Sequence, residues 1–142
     1  MSGCELCEST GGELLWQDAS CRVVRVGGRE GVDYPGFCRV IWRAHVREMT
    51  DLDHADRQHL LRVVWAVERA VRVLYQPDKI NLASLGNLTP HLHWHVIPRC
   101  SDDRCFPAPI WAAPQRENPQ KVALVSVQAL HDQLLSELKR EQ

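Results

Sequence analysis

The sequence predicts an α+β fold in which an antiparallel sheet is combined with one long helix and a C-terminal helix. The stretch HLHWHVIPR, residues 91–99, alternates between histidine and apolar side chains, which is the period of a strand with one buried face. After Thr50, and again after Ser126, apolar residues instead recur every three or four positions. That spacing is typical of amphipathic helices.

Two further segments with strand character lie in the first third of the chain. Residues 13–26 and 36–46 alternate in part between apolar and polar side chains, which indicates antiparallel strands. Between them stands GGREGVDYPG, residues 27–36. Because glycine and Tyr-Pro-Gly favour turns, we expect this stretch to be a turn.

The helices are predicted from their caps and their apolar spacing. Thr50 or Asp51 is expected to cap a long helix that ends near YQPDK, residues 75–79. A strand over INLASLG, residues 80–86, should follow it. After the histidine segment, the proline-rich CFPAPIWAAP predicts a loop. Ser126 is expected to cap a last helix with four apolar positions, namely Leu130, Leu134, Leu135 and Leu138.

The alternation around the histidines places them on one surface. On a strand, His91, His93 and His95 share one face. The other face carries the apolar residues Leu92, Trp94 and Val96, so we expect it to be buried. From the residues alone, a zinc site with an open position for water and a purely structural role are both open at this point.

Composition limits the possible classes of function. The 142 residues predict one domain over 1–142, and 44% apolar with 25% charged residues indicates an ordinary globular chain. Seventeen basic and eighteen acidic residues give a net charge of −1, which disfavours nucleic acid or an anionic membrane as a partner. The first residues lack the pattern of a secretory signal, so we expect a cytoplasmic protein whose six cysteines are thiols or metal ligands.

The residues from His91 to Ile97 read His-apolar-His-apolar-His-apolar-apolar, and this pattern resembles the signature of the histidine triad superfamily of nucleotide hydrolases and transferases. RAHVREMTDLD followed by a long helix resembles the middle section of that family. NLASLGNLTPHLHWHVIPR is most similar to bacterial members described as diadenosine tetraphosphate hydrolase-like. The resemblance covers about residues 4–99 and implies a histidine triad-like fold.

The resemblance also implies a mechanism for the three histidines. His93, the middle one, would attack the α-phosphate of a nucleotide and form a covalent nucleotidyl-imidazole. The backbone carbonyl of His91 would hold the proton on the other ring nitrogen of His93. His95 would donate to a non-bridging phosphate oxygen. The substrate would be a dinucleoside polyphosphate or a nucleoside phosphoramidate. Two alternatives are a nucleotide-binding protein with little turnover and a zinc hydrolase that uses the triad as ligands.

The same resemblance implies a structural zinc ion near the N-terminus. Relatives pair a Cys-x-x-Cys with a histidine before the long helix and the first histidine of the triad, which correspond here to Cys4, Cys7, His45 and His91. Residues 1–10 would then form a zinc-binding segment attached to the catalytic strand. A redox dithiol is disfavoured because such motifs follow a strand and open a helix, whereas Cys4 is only four residues into the chain. A frayed terminus with two spare thiols is the remaining alternative.

Nucleotide-binding residues are implied less directly. An acidic residue before the helix would accept hydrogen bonds from the ribose, and Asp33 is the nearest candidate, with Glu30 second. Asn81 is a further candidate. Relatives carry Gly-Gln-Ser or Gly-Gln-Thr before the triad, where this chain has GNLTPH. In the relatives these polar side chains touch the leaving phosphate. Here Asn87 replaces the glutamine and is the candidate for leaving-group specificity. Leu88 occupies the hydroxyl position, and Thr89 could supply the hydroxyl group only if the loop shifts.

Two expectations concern the assembly and the C-terminal part. Members of the superfamily commonly dimerise through the long helix and the triad strand, which implies a homodimer. Residues 100–142, a loop and a helix, lie outside the resemblance. Trp111 in that loop could close over the site, brace a partner subunit, or fill a gap in the core.

Overall fold

A computed structural model of the chain describes residues 3–117 and 124–142. Residues 1–2 and 118–123, which belong to the predicted N-terminal and C-terminal segments, lie outside the described residues. The strands are β1 (Glu13–Gln17), β2 (Cys21–Arg25), β3 (Cys38–Trp42), β4 (Lys79–Ala83) and β5 (His93–Arg99). The α-helices are α1 (Glu5–Glu8), α2 (Gly28–Asp33), α3 (His54–Tyr75) and α4 (Val127–Arg140), and a 3-10 turn spans Met49–Asp51.

The five strands form one antiparallel sheet in the order β1-β2-β3-β5-β4, so the α+β class is confirmed. β3 and β5 are its interior neighbours, although the histidine segment follows β3 by about fifty residues. In their register Ile41 lies opposite His93 and Arg39 lies opposite His95. These pairs place the histidines in the middle of the sheet.

One face of the sheet packs against α3 and α4. Leu92 and Val96 are 3% and 0% exposed in this core, and Trp94 packs against it. The prediction that one side of the histidine segment is buried is therefore confirmed. The helix α3 contributes its apolar stripe, of which Leu60, Val64 and Val71 are completely buried.

The opposite face carries the histidines and is covered by the N-terminal segment and by loops. Cys4 and Leu6 pack on Val24 and Ile41. Further along, Phe37 and Ile97 belong to a separate apolar cluster that also contains Val26, Tyr34 and Ile110. The segment before the first strand and the segment after the last strand thus both pack near the site.

Two local predictions are wrong in detail. The stretch predicted as a turn contains the six-residue helix α2, which its glycines do not favour. The long helix begins at His54 and is capped by Asp53, whose side chain accepts a hydrogen bond from the backbone N–H of Asp56. The predicted cap Asp51 instead belongs to the 3-10 turn, where it accepts from the backbone N–H of Glu48.

The C-terminal helix agrees with its prediction at the cap and in most of its apolar face. Ser126 accepts a hydrogen bond from the backbone N–H of Ala129, and Leu130 and Leu134 are 1% exposed. Leu135, also predicted on that face, is 38% exposed. In the part of the chain that the structure describes, no helix is long and apolar enough to cross a membrane.

Candidate active site

The nucleophile candidate His93 opens β5 and is held by the residue two positions before it. Its Nδ1 lies 2.5 Å from the backbone carbonyl oxygen of His91. Because a carbonyl oxygen can only accept, Nδ1 carries the proton and the lone pair remains on Nε2. Burial lowers the pKa of His93, and the cationic Arg39 lowers it further. The ring is therefore neutral near pH 7.

His95 lies beside His93 on the same face of β5. The two ring centroids are 4.9 Å apart at 79°, and the side chain of His95 is deeply buried. Burial lowers its pKa to about 3, with smaller contributions from His93 and Arg39. Its Nδ1 has no hydrogen-bond partner among the described residues, which is uncommon for a buried polar atom.

His91 contacts groups other than those around His93 and His95. It precedes the strand, and its Nε2 lies 2.6 Å from the carbonyl oxygen of Trp42. Nε2 therefore carries the proton, and the lone pair on Nδ1 points to Cys4 and Cys7. Since both of its ring nitrogens are engaged away from His93 and His95, the three rings do not form one ligand set.

Four residues from distant parts of the chain instead form a cluster of possible metal ligands: Cys4, Cys7, His45 and His91. The Nδ1 atoms of the two histidines are 3.2 Å apart. Three of the four sulfur-to-Nδ1 pairs, Cys4 with His91 and Cys7 with each histidine, are 3.4 to 3.5 Å apart. A tetrahedral zinc ion with bonds of about 2.3 Å to sulfur and about 2.0 Å to nitrogen places two nitrogen ligands roughly 3.3 Å apart and a sulfur and a nitrogen ligand roughly 3.5 Å apart. The donor set and its spacing therefore fit zinc.

The Cys-x-x-Cys motif lies at the start of a helix, as redox motifs do, but it also lies beside two histidines. Cys4 is the N-cap of the short helix α1, so the motif does open a helix. The two histidines beside the thiols distinguish it from a dithiol that stands alone.

A cavity of about 510 Å³ lies next to His93 and His95, a volume within the usual range of small-molecule sites. Four groups of residues line it: the loop residues Leu85, Gly86, Asn87, Leu88 and Thr89; Glu30 of α2; Arg39 of β3; and Trp111 of the C-terminal loop. Two of the predicted nucleotide-binding residues, Asn87 and Thr89, thus border it. Gly86 adopts a φ of +74°, a backbone conformation that favours glycine at this turn of the loop.

The structure does not place Asp33 among the residues that line this cavity. Asp33 is 5% exposed, and its carboxylate lies 3.4 Å from a nitrogen of Arg29 and 3.4 Å from one of Arg104. Glu30, one helical turn earlier, does line the cavity and lies 3.7 Å from Arg39. Of the two acidic candidates, Glu30 rather than Asp33 therefore lines the cavity, because a short helix rather than a turn sets their directions.

Asn81 is also placed away from the lining of this cavity. Its Oδ1 accepts a hydrogen bond of 2.9 Å from Arg99, a side chain that is 1% exposed. Arg99 also binds both carboxylate oxygens of Asp103 at 2.7 and 3.0 Å. Asn81 thus helps to fix the end of β5 and the loop after it.

Arg39 is a site residue that the sequence analysis missed. It lies opposite His95 in the sheet, and residues that face each other in antiparallel strands have Cβ atoms about 5 Å apart. Its guanidinium also donates to the carbonyl oxygen of Gly11 at 3.2 Å. Partial alternation over residues 36–46 put Arg39 on a strand, but the pairing of that strand with the histidine segment is not visible in a single sequence.

Comparison with known proteins identifies a family for this chain. A model of the HIT domain matches residues 31–102. A bis(5'-adenosyl)-triphosphatase of Saccharomyces cerevisiae is 31% identical over 71 residues, which cover 46% of this chain and 34% of that protein. The chain spans about a third of the length of the curated relatives it matches.

Solved structures share the fold over almost the whole chain. A histidine triad protein of Bradyrhizobium japonicum is 25% identical, with 91% of this chain and 90% of that one covered and a TM-score of 0.64. A histidine triad protein of Marinobacter aquaeolei is 24% identical, with 94% and 93% covered and a TM-score of 0.68.

Proposed function

The chain belongs to the HIT domain family, and from this premise we propose that it is a nucleotide hydrolase or transferase that forms a nucleotidyl-histidine at His93. The observation that carries the proposal is the 2.5 Å contact between Nδ1 of His93 and the carbonyl oxygen of His91. It leaves the Nε2 lone pair of a neutral imidazole free. Such a nitrogen is a nucleophile near pH 7 without a separate strong base.

The reaction proceeds in two displacements. The Nε2 lone pair of His93 attacks the α-phosphorus, a P–N bond forms, and the bond from phosphorus to the leaving group breaks. Water or another acceptor then attacks the same phosphorus, and the P–N bond breaks to return the neutral imidazole. The substrate is a dinucleoside polyphosphate or a nucleoside phosphoramidate.

His95 stabilises the negative charge that develops on the phosphate oxygens. A neutral imidazole has one N–H. Nδ1 of His95 is buried and has no hydrogen-bond partner among the described residues that would hold the proton there. The N–H can therefore stand on Nε2 and be donated to a non-bridging oxygen in the cavity that His95 lines. A donor placed before the reaction loses little on reorganisation, and loss of one such donor typically costs about 100- to 1000-fold in rate.

The nucleoside is held by polar residues that line the same cavity. Glu30 is the acidic residue that faces the cavity, and its carboxylate can accept hydrogen bonds from two ribose hydroxyls. Asn87 and Thr89 contribute polar groups from the loop before the triad. Asp33 and Asn81 do not line this cavity and contact arginines instead, which favours Glu30 over them for this role.

A zinc ion held by Cys4, Cys7, His45 and His91 stabilises the backbone next to this site. The spacing of the ligand atoms favours zinc binding. The Nε2–H of His91 also donates to the carbonyl oxygen of Trp42, as the second ring nitrogen of a metal-bound histidine commonly does. Bound there, the metal supplies structure rather than catalysis. The chain's own contribution is to fix the backbone of His91, whose carbonyl oxygen orients His93.

The first experiment compares the wild-type protein with His93→Ala and His95→Ala. Each is incubated with diadenosine tetraphosphate and with adenosine phosphoramidate, and the products are separated by chromatography. We expect turnover by the wild-type protein, none by His93→Ala, and about 100- to 1000-fold slower turnover by His95→Ala. Turnover by His93→Ala at the wild-type rate would contradict the nucleophile assignment.

A nucleotide-binding protein with little turnover is the second candidate. It is supported by the same cavity, because a fold alone does not establish catalysis. It predicts that the wild-type protein binds AMP in a calorimetric titration and releases no product from either substrate. The homodimer stays a prediction, and the mass in solution by light scattering tests it.

A further inference from the structure

We propose that Trp111 determines the specificity of this site for the leaving group, by stacking on a planar ring such as a second nucleobase. The inference rests on the proposed function and deepens it. The indole ring lies edge-on to His95, with 5.2 Å between the ring centroids. Trp111 is nevertheless 48% exposed and lines the cavity, so one side of the ring meets the catalytic residue and the remainder is open to a ligand.

The loop that carries Trp111 is anchored by a buried ion pair. Arg99, at the end of β5, binds Asp103 with both carboxylate oxygens, and the two residues are 1% and 0% exposed. Arg99 also donates to the carbonyl oxygen of Ala108 at 2.7 Å. If the loop moved away, Arg99 and Asp103 would separate and leave buried charges without compensation, which is strongly unfavourable. The ion pair therefore holds the loop in one position.

The backbone on each side of Trp111 is fixed as well. The thiol of Cys105 lies 3.6 Å from the carbonyl oxygen of Ile110 and 3.5 Å from that of Ala112. Ile110 itself is 9% exposed and packs in the cluster with Phe37 and Ile97. Trp111 is therefore presented by a backbone that is held before and after it, and the indole is a preformed wall of the cavity.

The rest of this wall is apolar. Leu88 is 94% exposed and Leu85 is 53% exposed, and both line the cavity with Trp111. Large exposed apolar side chains grouped around a site indicate a ligand with an apolar surface. Indole rings favour flat aromatic partners, and bases stack on them with little dependence on sequence. The leaving group that fits is therefore one that bears a planar ring, such as the nucleoside polyphosphate released from a dinucleoside polyphosphate.

The test compares Trp111→Ala with Trp65→Ala on two substrates. Trp65 is a matched control because it is also a tryptophan, is 45% exposed, and lies on α3. Diadenosine tetraphosphate has a ring in its leaving group and adenosine phosphoramidate has none. We expect Trp111→Ala to lower kcat/KM for the first by about 10- to 100-fold and for the second by less than about 3-fold. Trp111→Phe should restore most of the loss, and Trp65→Ala should change neither.

An equal loss on both substrates would overturn the inference, because Trp111 would then act only by positioning His95. No loss on either substrate would overturn it too. Where the wild-type protein turns over neither substrate, the proposed function fails, and binding decides the inference separately. Calorimetric titration should then show that Trp111→Ala binds diadenosine tetraphosphate more weakly than the wild-type protein does. The affinity for AMP should be unchanged. Equal affinities in wild type and variant, or equal weakening of both ligands, would overturn it.

Discussion

Glu30 and Asp33 lie one helical turn apart in α2 and have different surroundings. Substitution of Glu30 should therefore affect nucleotide binding, and substitution of Asp33 should affect stability. Glu30→Gln removes the negative charge and one of the two oxygens proposed to accept from the ribose hydroxyls, and it should weaken AMP binding by about 10-fold with an unchanged Tm. Asp33→Asn removes a buried charge beside Arg29 and Arg104 and should lower the free energy of unfolding by about 1 to 3 kcal/mol. Calorimetric titration and thermal unfolding of both variants measure these effects. Weaker AMP binding by Asp33→Asn at constant Tm would contradict the assignment.

The buried neutral ring of His95 should make stability depend on pH. Its pKa is lowered to about 3 in the folded protein by burial, whereas a histidine in the unfolded chain titrates near 6.5. Between these values the unfolded state binds the additional proton, so stability is lost as the pH falls from about 6.5 towards about 3, at no more than about 1.4 kcal/mol per pH unit. Denaturant unfolding of wild type and His95→Asn across this range measures the difference. Parallel pH profiles of the two proteins would contradict it.

How far single residues could be predicted depends on whether the signal is local. The alternation of histidines is a local pattern, and it identified His93 and His95 as neighbours on one face. The direction of Glu30 depends on a six-residue helix rich in glycine, which lacks a helical signal. Arg39 depends on the pairing of β3 with β5, two segments about fifty residues apart. A cross-strand register of this kind is set by the whole sheet.

Among the elements, α3 was predictable because 22 residues keep one apolar stripe, whereas its first residue was not. Three residues before the helix can act as caps, namely Thr50, Asp51 and Asp53. The intervening 3-10 turn decides which of them accepts the N–H groups of the first turn. The hydrogen bond from Asp56 to Asp53 identifies the cap.

That assignment predicts unequal effects of two alanine substitutions. Asp53→Ala should lower the free energy of unfolding by about 1 kcal/mol, because an N–H of the first turn then lacks its acceptor. Thr50→Ala should change it by less than about 0.5 kcal/mol. Denaturant unfolding of the two variants measures both effects. A larger loss for Thr50→Ala than for Asp53→Ala would mean that the helix starts at the earlier cap.

At the scale of the whole molecule, the Cys4, Cys7, His45 and His91 cluster joins the N-terminal segment to the residues after β3 and before β5. A metal bound there closes long loops of the chain and stabilises the folded state over the unfolded one. We expect one zinc ion per chain by elemental analysis, a lower Tm after chelation, and recovery of the Tm when zinc is returned. Cys7→Ser should reduce the zinc content. Cys100→Ser, which changes a thiol outside the cluster, should not.

Turnover should fall together with the metal, because the carbonyl oxygen of His91 orients His93. A protein that binds no zinc and keeps its Tm in chelator would show instead that the thiols and imidazoles pack without an ion.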